Sequence, residues 1–503
     1  MAEMRNRLRY PEHYYQKRYY NDDLEKVKKK KTNISRFRNY LRSLCQQSLI
    51  TGFPVIASTR SVTRKLVKTI VFIICTAGFL YQTSDFLRMY MAYPTMVDVQ
   101  LENPDTVELP AVTICNKNIL RRKAFCRVLP DECEWGFKNR TEFCSIFPKF
   151  CISYESDEDI VFARPITWRI INFVPDLKLL KNVGQRQNDL IKYCKVKLNG
   201  TQACKNYVFV QPTDSLGKPN NCYAFESFWG QPEAESYKAP ITAGYSVWVD
   251  LHPEDYLTYD DFVQAYVYAH DAFAIGNPMK EGLTLEGGKI YNLYVTQIVR
   301  IRLPPPYETN CTDYRSLWRR NGGYGPLTKK ACSEICRIKQ MMDTVGCVAT
   351  SISYPHNHSS CSINYYAPEK MIEKCSRECN EACEERSYNL RVEVKGDIPK
   401  CDLSEFAGCK SKAIVLNFIF NRMEVTKFEH EPKYESVEMF SYIGGYMGMW
   451  LGISLVALFD FIETIGYLLY YPFKDYTNKR KKIRQADFIQ RNLYFDRYDK
   501  YDI

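Results

Sequence analysis

The chain has 503 residues, with 69 Lys+Arg against 58 Asp+Glu for a net charge of +11, and 20 cysteines beside only six histidines. Its length holds one large domain or several, and its cysteine content exceeds that of a typical cytosolic protein. Residues 1–68 carry +12 and residues 474–503 carry +4, so the rest sums to −5; the basic excess belongs to the tails, which is a topology signal and excludes nothing-but-charge arguments for nucleic-acid binding.

In chain order, residues 1–65 are polar, Tyr-rich and then basic at Lys28–Lys31. No apolar core lies near the start, so a cytosolic leader followed by an internal signal anchor is expected in place of a cleavable signal peptide. The lysine run reads as a solvated charge block more readily than as an anionic-lipid site. A first membrane helix is predicted over 66–91. Its continuous apolar run, Thr69–Tyr81, has only 13 residues, but Arg60, Arg64, Lys65 and Lys68 precede it and set its N-terminus in the cytosol. Gln82–Asp85 then need polar company inside a protein assembly.

Residues 92–437 form the exterior region. Eighteen cysteines fall between Cys115 and Cys409, an even count confined to one region, as a disulfide-bonded domain in an oxidising compartment requires. No Cys-x-x-Cys pair occurs, so no metal site is expected. Sequons at Asn139, Asn199, Asn310 and Asn357 are the expected glycosylation sites, and one at Asn33 is expected to stay unused. Tyr245–Leu251 and Ile290–Arg302 alternate apolar and polar residues as half-buried strands do. Helical signals cluster at Cys332–Met342 and around Cys375–Cys383, where cysteine recurs every fourth residue and three thiols are expected on one helical face. The acidic stretch Asp250, His252, Glu254, Asp255, Asp260 and Asp261 reads as an exposed loop in preference to a titrating sensor. The domain is read as mixed α+β.

A second span, 438–471, is long enough to cross a bilayer. Gly444, Gly448 and Gly452 share one face and permit close helix approach, the mark of a dimerisation face as well as of a pore. Asp460 and Glu463 put two carboxylates in its inner half, where a charge normally faces a wet interior. The basic tail 472–503 returns the C-terminus to the cytosol.

Several separated blocks carry a resemblance: LPAVTICN (Leu109–Asn116), NCYAF (Asn221–Phe225), LPPPY (Leu303–Tyr307), CEERSY (Cys383–Tyr388) and IGGYMGMWLGIS (Ile443–Ser454). In this order between two spans they resemble the degenerin and epithelial sodium channel family, which includes acid-sensing and peptide-gated channels. The resemblance implies a trimer whose second helices surround a pore, with a selectivity filter at Gly452, Ile453 and Ser454. Ile453 is bulkier than the alanine or serine of many relatives. It further implies an acidic ring at Asp460 and Glu463, a gating position at Ser441, and a cytosolic gating motif at Thr51 and Gly52, where threonine replaces the family histidine. Contact of Tyr93 with Tyr307 would couple the exterior to the pore. The implied bridges are Cys115–Cys222, Cys194–Cys204, Cys311–Cys383, Cys332–Cys379, Cys336–Cys375, Cys347–Cys361 and Cys401–Cys409, with the pairing of Cys126, Cys133, Cys144 and Cys151 left open.

The expected function is therefore a sodium-selective, voltage-independent, amiloride-sensitive plasma-membrane channel with both termini cytosolic. Proton, peptide and mechanical force all remain as stimuli, and assembly as a homo- or heterotrimer remains open. No enzyme, cofactor or nucleic-acid partner is expected; the permeant Na⁺ ion is cargo. The alternatives are a two-span disulfide-rich receptor, which has no use for Asp460 and Glu463, and an ATP-gated trimeric channel, which lacks the LPPPY block. Pro304–Tyr307 also fits a WW-domain ligand, but on the exterior side it cannot meet a cytosolic partner.

Overall fold

The computed structural model describes residues 39, 43, 55–56, 58–135, 140–146, 163–165, 176–198, 200–240, 242–257, 262–362, 365–398, 413–420, 424–454, 456–459, 462–463, 465–466, 469–470 and 484–485. The chain divides into two compact units, one of residues 93–433 and one joining residues 1–92 to 434–503. The longer helices are α1 (Val62–Met91), α2 (Lys329–Thr344), α3 (Glu369–Glu378) and α4 (Ser436–Leu451). The strands that matter below are β1 (Thr95–Glu102), β2 (Ala111–Asn116), β3 (Gly244–Asp250), β4 (Gln264–His270), β5 (Lys289–Ile301), β6 (Glu384–Asp397), β7 (Ala413–Ile419) and β8 (Val425–Pro432).

Unit 93–433 is built on a 13-stranded sheet in which these eight strands are members. Strand β5 is its spine: it runs antiparallel to β6 over its whole length and parallel to β7 and then β8 on its other edge. The core follows from period-two patterning. Tyr245, Val247 and Val249 of β3, Ala265 and Val267 of β4, Leu293 and Val295 of β5, and Leu416 and Phe418 of β7 all turn to one apolar cluster. Each large side chain so buried contributes about 1.5 to 3 kcal/mol relative to exposure.

Seven disulfides are formed among the described residues: Cys115–Cys222, Cys126–Cys133, Cys194–Cys204, Cys311–Cys383, Cys332–Cys379, Cys336–Cys375 and Cys347–Cys361. Two of them staple α2 to α3. The side chain of Cys144, and Cys151, Cys401 and Cys409 altogether, lie outside the described residues.

The expectation of three thiols on one helical face is corrected here. Helix α3 ends at Glu378, so only Cys375 lies within it; Cys379 sits at its C-cap and Cys383 precedes β6. The chain straightens because residues 382 and 383 find partners elsewhere. Ala382 bridges Thr312 in parallel, the Cys383 N–H donates to the Thr312 carbonyl, and the Cys383 carbonyl accepts from Arg302 N–H at 2.8 Å.

In the other unit, α1 spans 30 residues and starts at Val62, four residues before the expected boundary. Its mean hydropathy reaches 1.6, and among the described residues it is the helix long and apolar enough to cross a membrane. Of its side chains only Phe86 is buried, inside a ring of Tyr90, Tyr434, Tyr442 and Tyr446.

Candidate ion-conducting site

Helix α4 starts with a capping box, Glu435 and Glu438 each accepting a backbone N–H of the first turn, which satisfies donors that would otherwise be orphaned. It runs only 16 residues and stops at Gly452. Gly452 has φ +62° while its N–H still bonds the Gly448 carbonyl at 3.0 Å. A left-handed residue ends a helix, and glycine reaches that conformation without a Cβ clash. Ser454 then opens a new helical segment: its Oγ accepts from Ala457 N–H at 3.3 Å and its carbonyl from Leu458 N–H at 3.0 Å. The continuous second helix of the sequence reading is thus two segments, and Gly452, Ile453 and Ser454 are the joint between them. Gly452 and Ser454 are exposed and Ile453 is half-buried.

Nothing lies within 4 Å of a Cβ built at Gly444, Gly445 or Gly448. Val437, Phe440 and Met449 are 71%, 72% and 65% exposed, an outside-in arrangement for water and a natural one for lipid or for other helices. Ser441 is exposed, its hydroxyl donating to the Val437 carbonyl at 3.0 Å. Glu463 is exposed on a helical residue. Asp460, Thr51 and Gly52 lie outside the described residues.

Two of the contacts between α4 and α1 are specific in kind. One is the Phe86 cluster. The other had a partial signal in the sequence: Gln82, polar within an apolar helix, accepts from the Trp450 indole N–H at 2.7 Å. Trp450 lies flat against Gly78, where an added Cβ would come within 2.9 Å of its ring.

In unit 93–433, Tyr93 and Tyr307 meet edge to face with centroids 5.7 Å apart, and Glu308 N–H donates to the Tyr93 carbonyl. Tyr93 has φ +49°, uncommon for a residue with a Cβ. Tyr307 belongs to a turn closed by Thr309 Oγ donating to the Leu303 carbonyl at 2.6 Å. Asn310 and Asn357 are exposed, while Asn139 and Asn199 are not among the described residues.

The acidic stretch departs from the exposed-loop expectation. Asp250 is 6% exposed and accepts from His252 N–H at 3.2 Å. Asp255 accepts from Lys123 N–H at 2.6 Å, and burial pushes its carboxyl above the usual range. Asp260 and Asp261 lie outside the described residues. Sequence reasoning also missed a 350 Å³ cavity between the start of α2 and the ends of β4 and β6. Its charges are answered internally, Lys330 pairing with Glu281 and Arg386 with Glu384 and Glu108. His270, on its wall, is buried. Its Nδ1–H donates to the Asp271 carbonyl and its Nε2 accepts from Thr113 Oγ at 2.7 Å, and burial pulls its pKa down to about 4.

Residues 44–464 match the family model described as amiloride-sensitive sodium channel. The chain belongs to that family. It is 21% identical over 452 residues to acid-sensing ion channel 2 of Rattus norvegicus, covering 83% of this chain and 84% of the relative. It is 22% identical over 453 residues to the bile acid-sensitive ion channel of Rattus norvegicus, covering 84% and 86%. Against degenerin mec-10 of Caenorhabditis elegans it is 21% identical over 379 residues, covering 70% and 49%. A solved proton-activated chloride channel aligns with TM-score 0.29 and 7% identity, a likeness too distant to carry weight. This amiloride-sensitive sodium channel family member is a cation channel of the degenerin type and not an enzyme. Its unit 93–433 is the family's disulfide-rich, β-rich extracellular domain, and α1 is a candidate membrane span.

Proposed function

We propose that the chain forms a sodium-preferring, voltage-independent, amiloride-blocked channel of the plasma membrane, assembled as a trimer of two-span subunits. In this reading residues 1–65 and 472–503 are cytosolic, 66–91 and 438–471 span the bilayer, and 92–437 lie outside. Gly452, Ile453 and Ser454 form the constriction, Asp460 and Glu463 a ring of acids that concentrates Na⁺ by Coulomb attraction, and Ser441, Thr51 and Gly52 gating positions. The extracellular domain transmits a proton, peptide or mechanical stimulus through Tyr93 and Tyr307. Partner subunits are copies or relatives of the chain; Na⁺ is cargo and no cofactor takes part.

The observation that supports this most is the left-handed joint at Gly452, following a helix in which a Cβ added at Gly444, Gly445 or Gly448 would meet open space. A lone anchor has no use for either feature, whereas three helices converging on an axis need close approach and a local turn. The test is single-channel recording from cells expressing this chain, with and without amiloride. Asp460→Asn with Glu463→Gln should lower unitary Na⁺ conductance at unchanged surface expression. An unaltered conductance removes the acidic ring.

A further inference from the structure

Four observations converge on the last turn of α4. Trp450 is two residues before Gly452 and donates its indole N–H to Gln82 Oε1 at 2.7 Å. An indole nitrogen is donor only, so the carbonyl end of the Gln82 amide is the end it must meet. Gly78 and Gln82, one turn apart, lie on one face of α1, and any side chain at 78 would displace the indole. The helix itself stops one residue after Trp450, so the left-handed Gly452 is the first backbone joint between Trp450 and the exposed Ser454.

In hydrocarbon, no water replaces a lost partner for an indole N–H or an amide, so removing either side chain leaves the other without its partner. The Phe86 cluster engages Tyr442 and Tyr446, at least one turn further back, and a Cβ added at Gly444, Gly445 or Gly448 would meet nothing within 4 Å.

We propose that Trp450 and Gln82 are positioning residues for ion selection: their hydrogen bond, seated on Gly78, holds the Gly452–Ser454 joint at a fixed height and rotation against α1. This rests on reading that triplet as the constriction. The pair touches no ion. It sets where the triplet stands, and through that the match between its polar groups, the Ser454 hydroxyl among them, and a dehydrated cation.

The test uses the full chain in planar bilayers, where spontaneous openings give a reversal potential under Na⁺ and K⁺ gradients without a known stimulus. Gln82→Leu and Trp450→Phe are each expected to lower the Na⁺/K⁺ permeability ratio by roughly threefold, the equivalent of one average interhelical hydrogen bond. The double variant should lose no more than either single one, because both remove the same bond. Gln82→Glu, which keeps an acceptor at the same reach, should restore the ratio, a rescue that a merely space-filling role would not give. Single variants with an unchanged ratio, or losses that multiply in the double variant, overturn the proposal. Ser454→Ala separates the two readings. If it leaves the ratio unaltered while 82 and 450 stay coupled, the constriction assignment falls. If it shifts the ratio while 82 and 450 do nothing, the positioning role falls.

Discussion

The two units of this channel subunit are held together by opposite logics. In the extracellular unit the apolar residues of β3, β4, β5 and β7 point inward, and the seven covalent bridges among the described residues restrict the unfolded chain. Among the described residues of the helical unit, many large apolar side chains are exposed, no residue of α4 is buried, and the contacts between α1 and α4 include a tyrosine ring around Phe86 and a tryptophan–glutamine hydrogen bond. Water supplies the driving force for the first arrangement, while in the second small residues and polar pairs make the contacts between helices.

The contrast can be broken at its strongest point by Cys115→Ser with Cys222→Ser. This bridge closes a separation of 107 residues, for which the chain-entropy account gives roughly 4 to 5 kcal/mol. The expected result is loss of the extracellular unit's thermal transition and of surface delivery, while α1 still inserts; protease protection of the N-terminal span measures the latter. A smaller effect comes from acid. His270 is neutral when folded because burial lowers its pKa from 6.5 to about 4. The unfolded chain therefore binds a proton first as pH falls, and stability present above pH 6.5 drains away until about pH 4, by roughly 3 kcal/mol in all. Melting curves of the solubilised channel should show this slope, and His270→Gln should flatten it. Smaller again is Gly452→Ala, which forces a Cβ into the left-handed region at about 1 to 2 kcal/mol. That cost should appear in the helical unit alone, and an equal shift in the extracellular transition would mean the two logics are not separable.

The alternation of β3 and β5 was legible because sheet burial has a period of two, and both strands fall within one residue of their expected bounds. The disulfide pattern was readable only through family resemblance, since spacing alone leaves many connectivities open. The Cys375–Cys383 run misled because a four-residue repeat fits a helix, and nothing local announces that Ala382 and Cys383 pair with residues 302 and 312. Burial of Asp250 and Asp255 was hidden for a related reason: acidic composition signals solvent, and the Lys123 backbone partner of Asp255 lies 132 residues away. In α4 the glycines were visible, but their backbone conformation was not. Gly448 and Gly452 have the same side chain, and only one is left-handed.

The sequon at Asn310 has an unusual neighbour. Its middle residue, Cys311, is cross-linked to Cys383, and its threonine, Thr312, is locked by a β-bridge to Ala382 and a backbone bond to Glu381. Once that clasp has shut, the tripeptide can no longer extend to be read by a transferase. Sugar on Asn310 would thus be a timestamp, recording that carbohydrate arrived during biosynthesis before the chain 72 residues downstream had emerged and closed the bridge.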